Sequence, residues 1–161
     1  LRNLNPMKDT KRQAVGQSLP LRDFDHSLPM ALLRAREAVM REFVPLLRHH
    51  QISPEQWRVL RALDLEDGLE LAELSRRCYL LRPSMSRIAK NLEERELLTR
   101  KNSAVDQRKG KLFLTPSGRR LFSSIAPESI QKYQNITDNF GHKKLELLYD
   151  LLDDLVNSLK D

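Results

Sequence analysis

Apolar residues recur at intervals of three and four along most of this chain, and the recurrence breaks in only a few places. Residues 1–26 are polar, carry Pro6, Gly16 and Pro20, and keep no steady period. They read as a flexible N-terminal arm, with Met7 a candidate initiator. From residue 27 the pattern changes. Leu28, Leu32, Ala35, Val39, Phe43 and Leu46 form the stripe of an amphipathic helix over 27–50. Ser27 is a candidate N-cap with Pro29 in the first turn, and Pro45 should kink or end the helix. Ser53-Pro54-Glu55-Gln56 opens a second helix that holds Trp57, Leu60, Arg61 and Leu63 and stops at Glu66-Asp67-Gly68. A short third helix over about 71–79 carries Leu71, Leu74 and Cys78. Pro83 starts a fourth, which runs to about Arg95.

The period then shifts to two. Residues 98–101 and 111–114 alternate like short strands around a basic turn, N-S-A-V-D-Q-R-K-G. After Pro116 the helical spacing returns. One segment holds Leu121, Ile125, Tyr133, Ile136 and Phe140 and stops at Asn139-Phe140-Gly141; a last one holds Leu145, Leu148, Leu152, Leu155 and Leu159. Four helices, a hairpin and two helices predict a mainly α (α+β) fold. Short helices followed by a β-hairpin are the order of a winged helix-turn-helix, here flanked by long apolar-striped helices.

Length and composition fit one domain with an appendage. No apolar run approaches the ~18–20 residues of a membrane span, and no signal peptide is readable at the N-terminus. The single cysteine, Cys78, excludes an internal disulfide framework and a cysteine zinc cluster, and points to the cytosol. No Gly-rich phosphate loop, metal-spaced His/Cys set or nucleophile with an evident base is present, so the reading is not an enzyme and needs no cofactor.

Charge sharpens the picture. The formal net charge is +6, which favours a polyanionic partner. It is unevenly placed: residues 76–111 hold eleven Lys/Arg and four Asp/Glu, whereas 127–161 hold four and seven. The excess coincides with the fourth helix and the hairpin. On that helix Met85, Ile88, Ala89 and Leu92 share the burying side. Pro83, Ser86, Arg87, Lys90 and Glu94 lie opposite, with Ser84 and Asn91 at the margins. Short hydroxyls followed by two cations suit the major groove, where Arg and Lys reach guanine or phosphate.

The run P-S-M-S-R-I-A-K-N-L-E-E-R-E-L-L-T-R, followed by D-Q-R-K-G-K-L-F-L-T-P-S-G, resembles the MarR family of transcriptional regulators. The likeness covers about 27–160. L-L-R-A-R-E-A, I-S-P-E-Q-W-R-V-L-R and C-Y-L-L-R-P-S are further similar to repressors of homoprotocatechuate (4-hydroxyphenylacetate) catabolic operons. The resemblance implies a single domain over 27–161, a homodimer joined through helices at 27–50 and 117–161, and a DNA-binding lobe over 51–116. It implies that Ser84, Ser86, Arg87 and Lys90 sit in or beside the major groove of a palindromic operator. Arg108 would be the minor-groove arginine of the wing, held by Asp106, with Lys109 and Lys111 beside it. Where the family usually has glycine before the wing's first leucine, this chain has Glu96, which is expected to shift the helix end.

The family also implies a small effector, often an aromatic acid, bound between the dimer region and the DNA lobe. A carboxylate needs a guanidinium and an apolar slot. Arg36, Trp57, Arg58, Arg61 and Arg82 are the candidates, ahead of His26 and His50. Trp57 reads more often as core, and Arg36 equally as an interhelix salt bridge. Cys78 reads as a structural thiol or as a redox sensor activated by Arg76, Arg77 and Arg82. The expected function is a ligand-responsive repressor of an aromatic-acid operon. The alternatives are a winged-helix anti-repressor that binds protein, and a redox regulator built on Cys78.

Overall fold

A computed structural model describes residues 23–24, 27–101 and 110–160. Two compact units divide the chain at Arg36. The described part of the first is essentially the opening stretch of α1 (Leu28–His49), where Leu28, Leu32 and Leu33 are exposed. Ser27 does not cap this helix through its side chain. Its hydroxyl donates to the Phe24 carbonyl at 3.0 Å, and its own carbonyl accepts from Ala31.

The second unit begins within α1. Of the two effects expected of Pro45, a kink or an end, the end does not occur: α1 continues to His49 with Pro45 inside it. Proline removes one donor, while Phe43, Leu46 and Leu47 on the same stretch are buried and keep the last turn in place. α2 (Pro54–Leu65) opens on a complete capping box. Ser53 Oγ accepts from the Gln56 amide at 3.1 Å, and Gln56 Oε1 accepts from the Ser53 amide at 2.9 Å. Trp57, Val59, Leu60 and Leu63 form its buried face. The expected turn comes next, and Gly68 sits there at φ 78°.

The turn leads into a strand that the residue pattern did not predict. β1 (Leu69–Glu70) is two residues long, too short to show alternation, and is defined by its partner. α3 (Leu71–Arg77) and α4 (Arg82–Glu94) come after it, then β2 (Leu98–Lys101) and β3 (Lys111–Leu114), both at the expected boundaries. The antiparallel sheet has the order β1-β3-β2. Leu98 pairs with Leu114 and Lys101 with Lys111 across the hairpin, and Leu69 pairs with Leu112 on the other side.

Thr115 caps α5 (Pro116–Phe140), and α6 (His142–Ser158) ends the described chain. Asp67 fastens the sheet to α5: its carboxylate accepts from the Leu114 amide at 2.9 Å and from the guanidinium of Arg119. Among the described residues the core is built from α2, α3, α4, the sheet, the end of α1 and the first half of α5, with Ile52, Cys78 and Leu97 in the turns between them, and Leu60, Leu63, Leu74, Met85, Leu92, Leu112 and Ile125 are fully enclosed. No residue of α6 is buried. Leu147, Tyr149, Leu151 and Val156 are about half exposed.

Three helices end in the same way. In each, a residue at positive φ is followed by an amide that reaches back to the carbonyl five residues earlier. Gln51 (φ 55°) lets Ile52 reach Leu47, Tyr79 (φ 51°) lets Leu80 reach Ser75, and Glu96 (φ 55°) lets Leu97 reach Leu92. These are Schellman closures made without glycine. The helix end at Glu96 is therefore not displaced. The glutamate adopts the left-handed conformation itself, and the strand after it starts where expected.

Candidate nucleic-acid interface and effector pocket

α4 is set by what it buries. Met85, Ala89 and Leu92 turn inward, Pro83 occupies the first turn, and the Met85 amide bonds to the Leu81 carbonyl at 2.9 Å. Ser86, Arg87, Lys90, Asn91 and Glu94 are thereby left exposed, with Ser84 half-buried. Lys90 lies 3.7 Å from Glu94. Arg87 has no hydrogen bond or ion pair among the described residues, so its guanidinium is available to an external acceptor.

Neighbouring cations are more constrained. Arg100 of β2 forks onto Glu93 with two bonds of 3.2 Å. Lys101 Nζ sits 4.9 Å from the centre of the Phe113 ring, and Lys111 projects into solvent from β3. Arg95 donates to the Gln51 carbonyl at 2.9 Å, joining the end of α4 to the α1–α2 turn. These contacts fix the root of the hairpin. Asp106, Arg108 and Lys109, assigned to the wing tip, lie outside the described residues, as does His26.

The candidate effector residues separate. Arg58 and Arg61, one turn apart on α2, line an open pocket of about 460 Å³ together with Ala62, Leu65, Arg77, Cys78 and Phe122. Trp57 is buried, but its ring stacks on Phe122 at 5.2 Å, so it backs one wall of that pocket. Arg82 is not part of the pocket and lines a separate surface hollow with Glu70, Ser75 and Leu81. Arg36 falls in the first unit. His50 approaches Glu128 at 3.9 Å and does not line the pocket.

Sequence reasoning treated Tyr133 only as part of an apolar stripe. Its hydroxyl accepts a hydrogen bond from Arg61 Nη1 at 3.2 Å, and its ring packs on Phe43 at 4.8 Å. The tyrosine is 40% exposed, so its polar end remains reachable while its ring is held. A tyrosine on an otherwise aliphatic stripe was the available signal.

Cys78 does not have the surroundings of a reactive thiol. It is buried, and burial pushes its pKa up, opposed only by the charge of Arg58. Arg76 and Arg77, expected to activate it, are turned onto acids. Glu73 accepts from both, and Arg77 also pairs with Glu66 at 2.7 Å. Arg58 donates to the Cys78 carbonyl at 2.8 Å, not to the sulfur.

Residues 50–109 match the family model described as MarR family. The chain is 33% identical to the homoprotocatechuate degradative operon repressor of Escherichia coli, over 81% of this chain and 88% of that protein. It also resembles the crystal structure of NadR in complex with 4-hydroxyphenylacetate, with a TM-score of 0.72 and 35% identity over 85% of this chain and 97% of that one. A third likeness is to the transcriptional repressor CouR bound to a 23-mer DNA duplex, with a TM-score of 0.77 and 26% identity over 87% and 99% of the two chains. With such identity sustained over four-fifths of its length, this chain belongs to the MarR family of transcriptional regulators.

Proposed function

We propose that the protein is a homodimeric repressor that binds a palindromic operator and is released from it by a small aromatic carboxylate. The observation that carries this reading is the exposed face of α4. Ser86, Arg87 and Lys90 project together, and the guanidinium of Arg87 has no partner within the described chain. In the groove this guanidinium would lose water, which is costly unless it is paired, and bidentate acceptance by guanine supplies such a pair. α4 enters the major groove, and the hairpin, with Lys111 at its root, lies over the adjacent minor groove, the contact for which the family resemblance nominates Arg108. CouR, of the same fold, was captured on a DNA duplex, which supports the assignment.

The half-exposed apolar side chains of α6 support dimerisation, since an apolar strip of this length is covered most simply by a second copy. A twofold dimer matches a palindromic site. The effector is an aryl acid such as 4-hydroxyphenylacetate, the ligand of NadR. Its carboxylate bonds to Arg61 and Tyr133, and its ring rests among the aromatic side chains around them. The action is binding rather than catalysis, in the cytoplasm where the operator lies.

Selection of duplexes from a randomised pool, followed by fluorescence-anisotropy titration, tests the reading. Affinity should fall steeply with salt, as each neutralised phosphate contributes a slope of about −0.9 in log K against log[salt]. Adding 4-hydroxyphenylacetate or a related aryl acid should weaken binding. Salt-independent binding, or none, would leave only the protein-interaction alternative. Indifference to the whole series of aryl acids would remove the effector assignment.

A further inference from the structure

Asn91 lies on α4 in line with Ser84 and Arg87, at the i, i+3, i+7 spacing that puts three side chains on one stripe. It is exposed, yet its amide is not free to turn. The polarity is fixed at its source by the backbone amide of Ser53, which can only donate. That N–H gives its hydrogen to Gln56 Oε1 at 2.9 Å. With its oxygen occupied, the Gln56 side chain presents Nε2, which donates to Asn91 Oδ1 at 2.7 Å. Asn91 therefore has its acceptor satisfied from α2. Its two Nδ2 hydrogens have no acceptor among the described residues, and they are what it can offer to solvent or to a ligand.

We propose that Asn91 donates a hydrogen bond to a phosphate oxygen of the DNA, and that Gln56, without touching DNA, is the positioning residue that turns the amide that way round. The proposal rests on the DNA-reading role of α4 and adds a partner atom and an orienting device to it. Phosphate is favoured over a base edge by position. Helix-turn-helix proteins read bases with the first part of the recognition helix. Asn91 comes seven residues after Ser84, at the margin beside α2, where a helix lying in the groove meets the flanking backbone. Contacts of this kind set register and orientation instead of sequence.

Three variants test this in anisotropy titrations on a selected duplex and on versions with single base-pair changes. Asn91→Ala should weaken binding about ten-fold, the effect of one charge-assisted hydrogen bond, and by the same factor on every duplex. Gln56→Glu is the sharper probe. Glutamate closes a capping box as well as glutamine does, so α2 stays capped. It offers Asn91 an acceptor, however, so Asn91 turns Nδ2 inward and shows Oδ1 to the phosphate. Gln56→Glu should therefore bind at least as weakly as Asn91→Ala, yet add less than about two-fold when Asn91 is already alanine.

An equal penalty from Gln56→Glu with and without Asn91 would mean that the new charge acts directly, and would overturn the orienting role. A loss in Asn91→Ala confined to one base position would overturn the phosphate assignment in favour of base reading. Unchanged affinity in Asn91→Ala would overturn the contact itself while wild-type binding leaves the role of α4 standing. If the wild-type protein binds no duplex, the DNA reading fails first.

Discussion

The amide of Leu97 reaches across Glu96 to the carbonyl of Leu92 at 2.9 Å, closing α4 over a glutamate held at φ 55°. Both leucines are buried, so the closure carries the hydrophobic contact that accompanies this motif. The same glutamate carbonyl accepts from Thr115 Oγ1 at 2.6 Å, tying the end of α4 to the start of α5. The backbone geometry is one that glycine adopts most easily, imposed here on a residue with a Cβ.

Glu96→Gly should therefore stabilise the protein. A left-handed conformation costs a non-glycine residue about 1–2 kcal/mol, and glycine returns about 0.5–1 kcal/mol of that through the freedom of its unfolded chain. A net gain of roughly 0.5–1 kcal/mol in urea unfolding is expected, with the Thr115 bond intact because it uses the backbone. A fall in the midpoint would show that the Glu96 side chain contributes more than its strain costs.

The contrast between Glu96 and Tyr133 separates what the sequence makes legible from what it does not. The start of α2 is written in residue identity, with Ser53 before Pro54, and so was readable, whereas the Thr115 cap of α5 was not singled out. The hairpin strands were readable because Leu98, Leu112 and Leu114 alternate against charge. A helix end at a residue that is not glycine is set by the amide and carbonyl partners around it. Neither Gln51, Tyr79 nor Glu96 announces a positive φ. β1 exists through its pairing with Leu112, 43 positions away, and the two residues themselves have no period. The effector pocket fails for the same reason. Arg61 was a candidate on chemistry, but its meeting with Tyr133, 72 residues on, is a property of how α2 packs on α5. Arg82, equally suited by chemistry, is carried elsewhere by the α3–α4 turn.

Acid should act on α3 through Glu73. Hydrogen bonds from Arg76, then Arg77, hold its carboxylate at a pKa of about 2, down from an ordinary 4.5. A depressed carboxylate pKa contributes stability that is complete above the unfolded value and is lost as pH falls through the folded one. The stability difference between wild type and Glu73→Gln should be constant above about pH 5 and should shrink between about pH 4.5 and 2. Parallel acid titration curves for the two proteins would show that the pair of arginines does not hold this carboxylate in solution.

Cys78 should behave as a buried thiol. Burial raises its pKa, so the thiolate fraction at neutral pH is below that of a free cysteine, and the sulfur is shielded from reagents. Native protein should react slowly with a disulfide reagent and quickly once unfolded in urea. Cys78→Ala should retain DNA affinity under mild peroxide as the wild type does. Fast labelling of the native protein, or peroxide-sensitive DNA binding abolished by Cys78→Ala, would restore the redox reading.

The effector assignment predicts a separation between two activities. Arg61 is exposed on α2, and its hydrogen bond to Tyr133 is long at 3.2 Å and open to solvent, so its removal should cost the fold little. A bound carboxylate would shorten and strengthen that arrangement, because hydrogen bonds to an ionised group are worth about 1.5–3 kcal/mol. Arg61→Ala should therefore weaken the response to an aryl acid by about ten- to a hundred-fold in concentration while operator affinity without ligand changes less than about two-fold. Tyr133→Phe keeps the ring on Phe43 and loses only the hydroxyl, so its shift should be in the same direction and smaller. Anisotropy release curves with 4-hydroxyphenylacetate measure both. If both variants release from DNA at the wild-type ligand concentration, neither Arg61 nor Tyr133 holds the carboxylate, and Arg58 and Arg77, which line the same pocket as Arg61, become the next residues to probe.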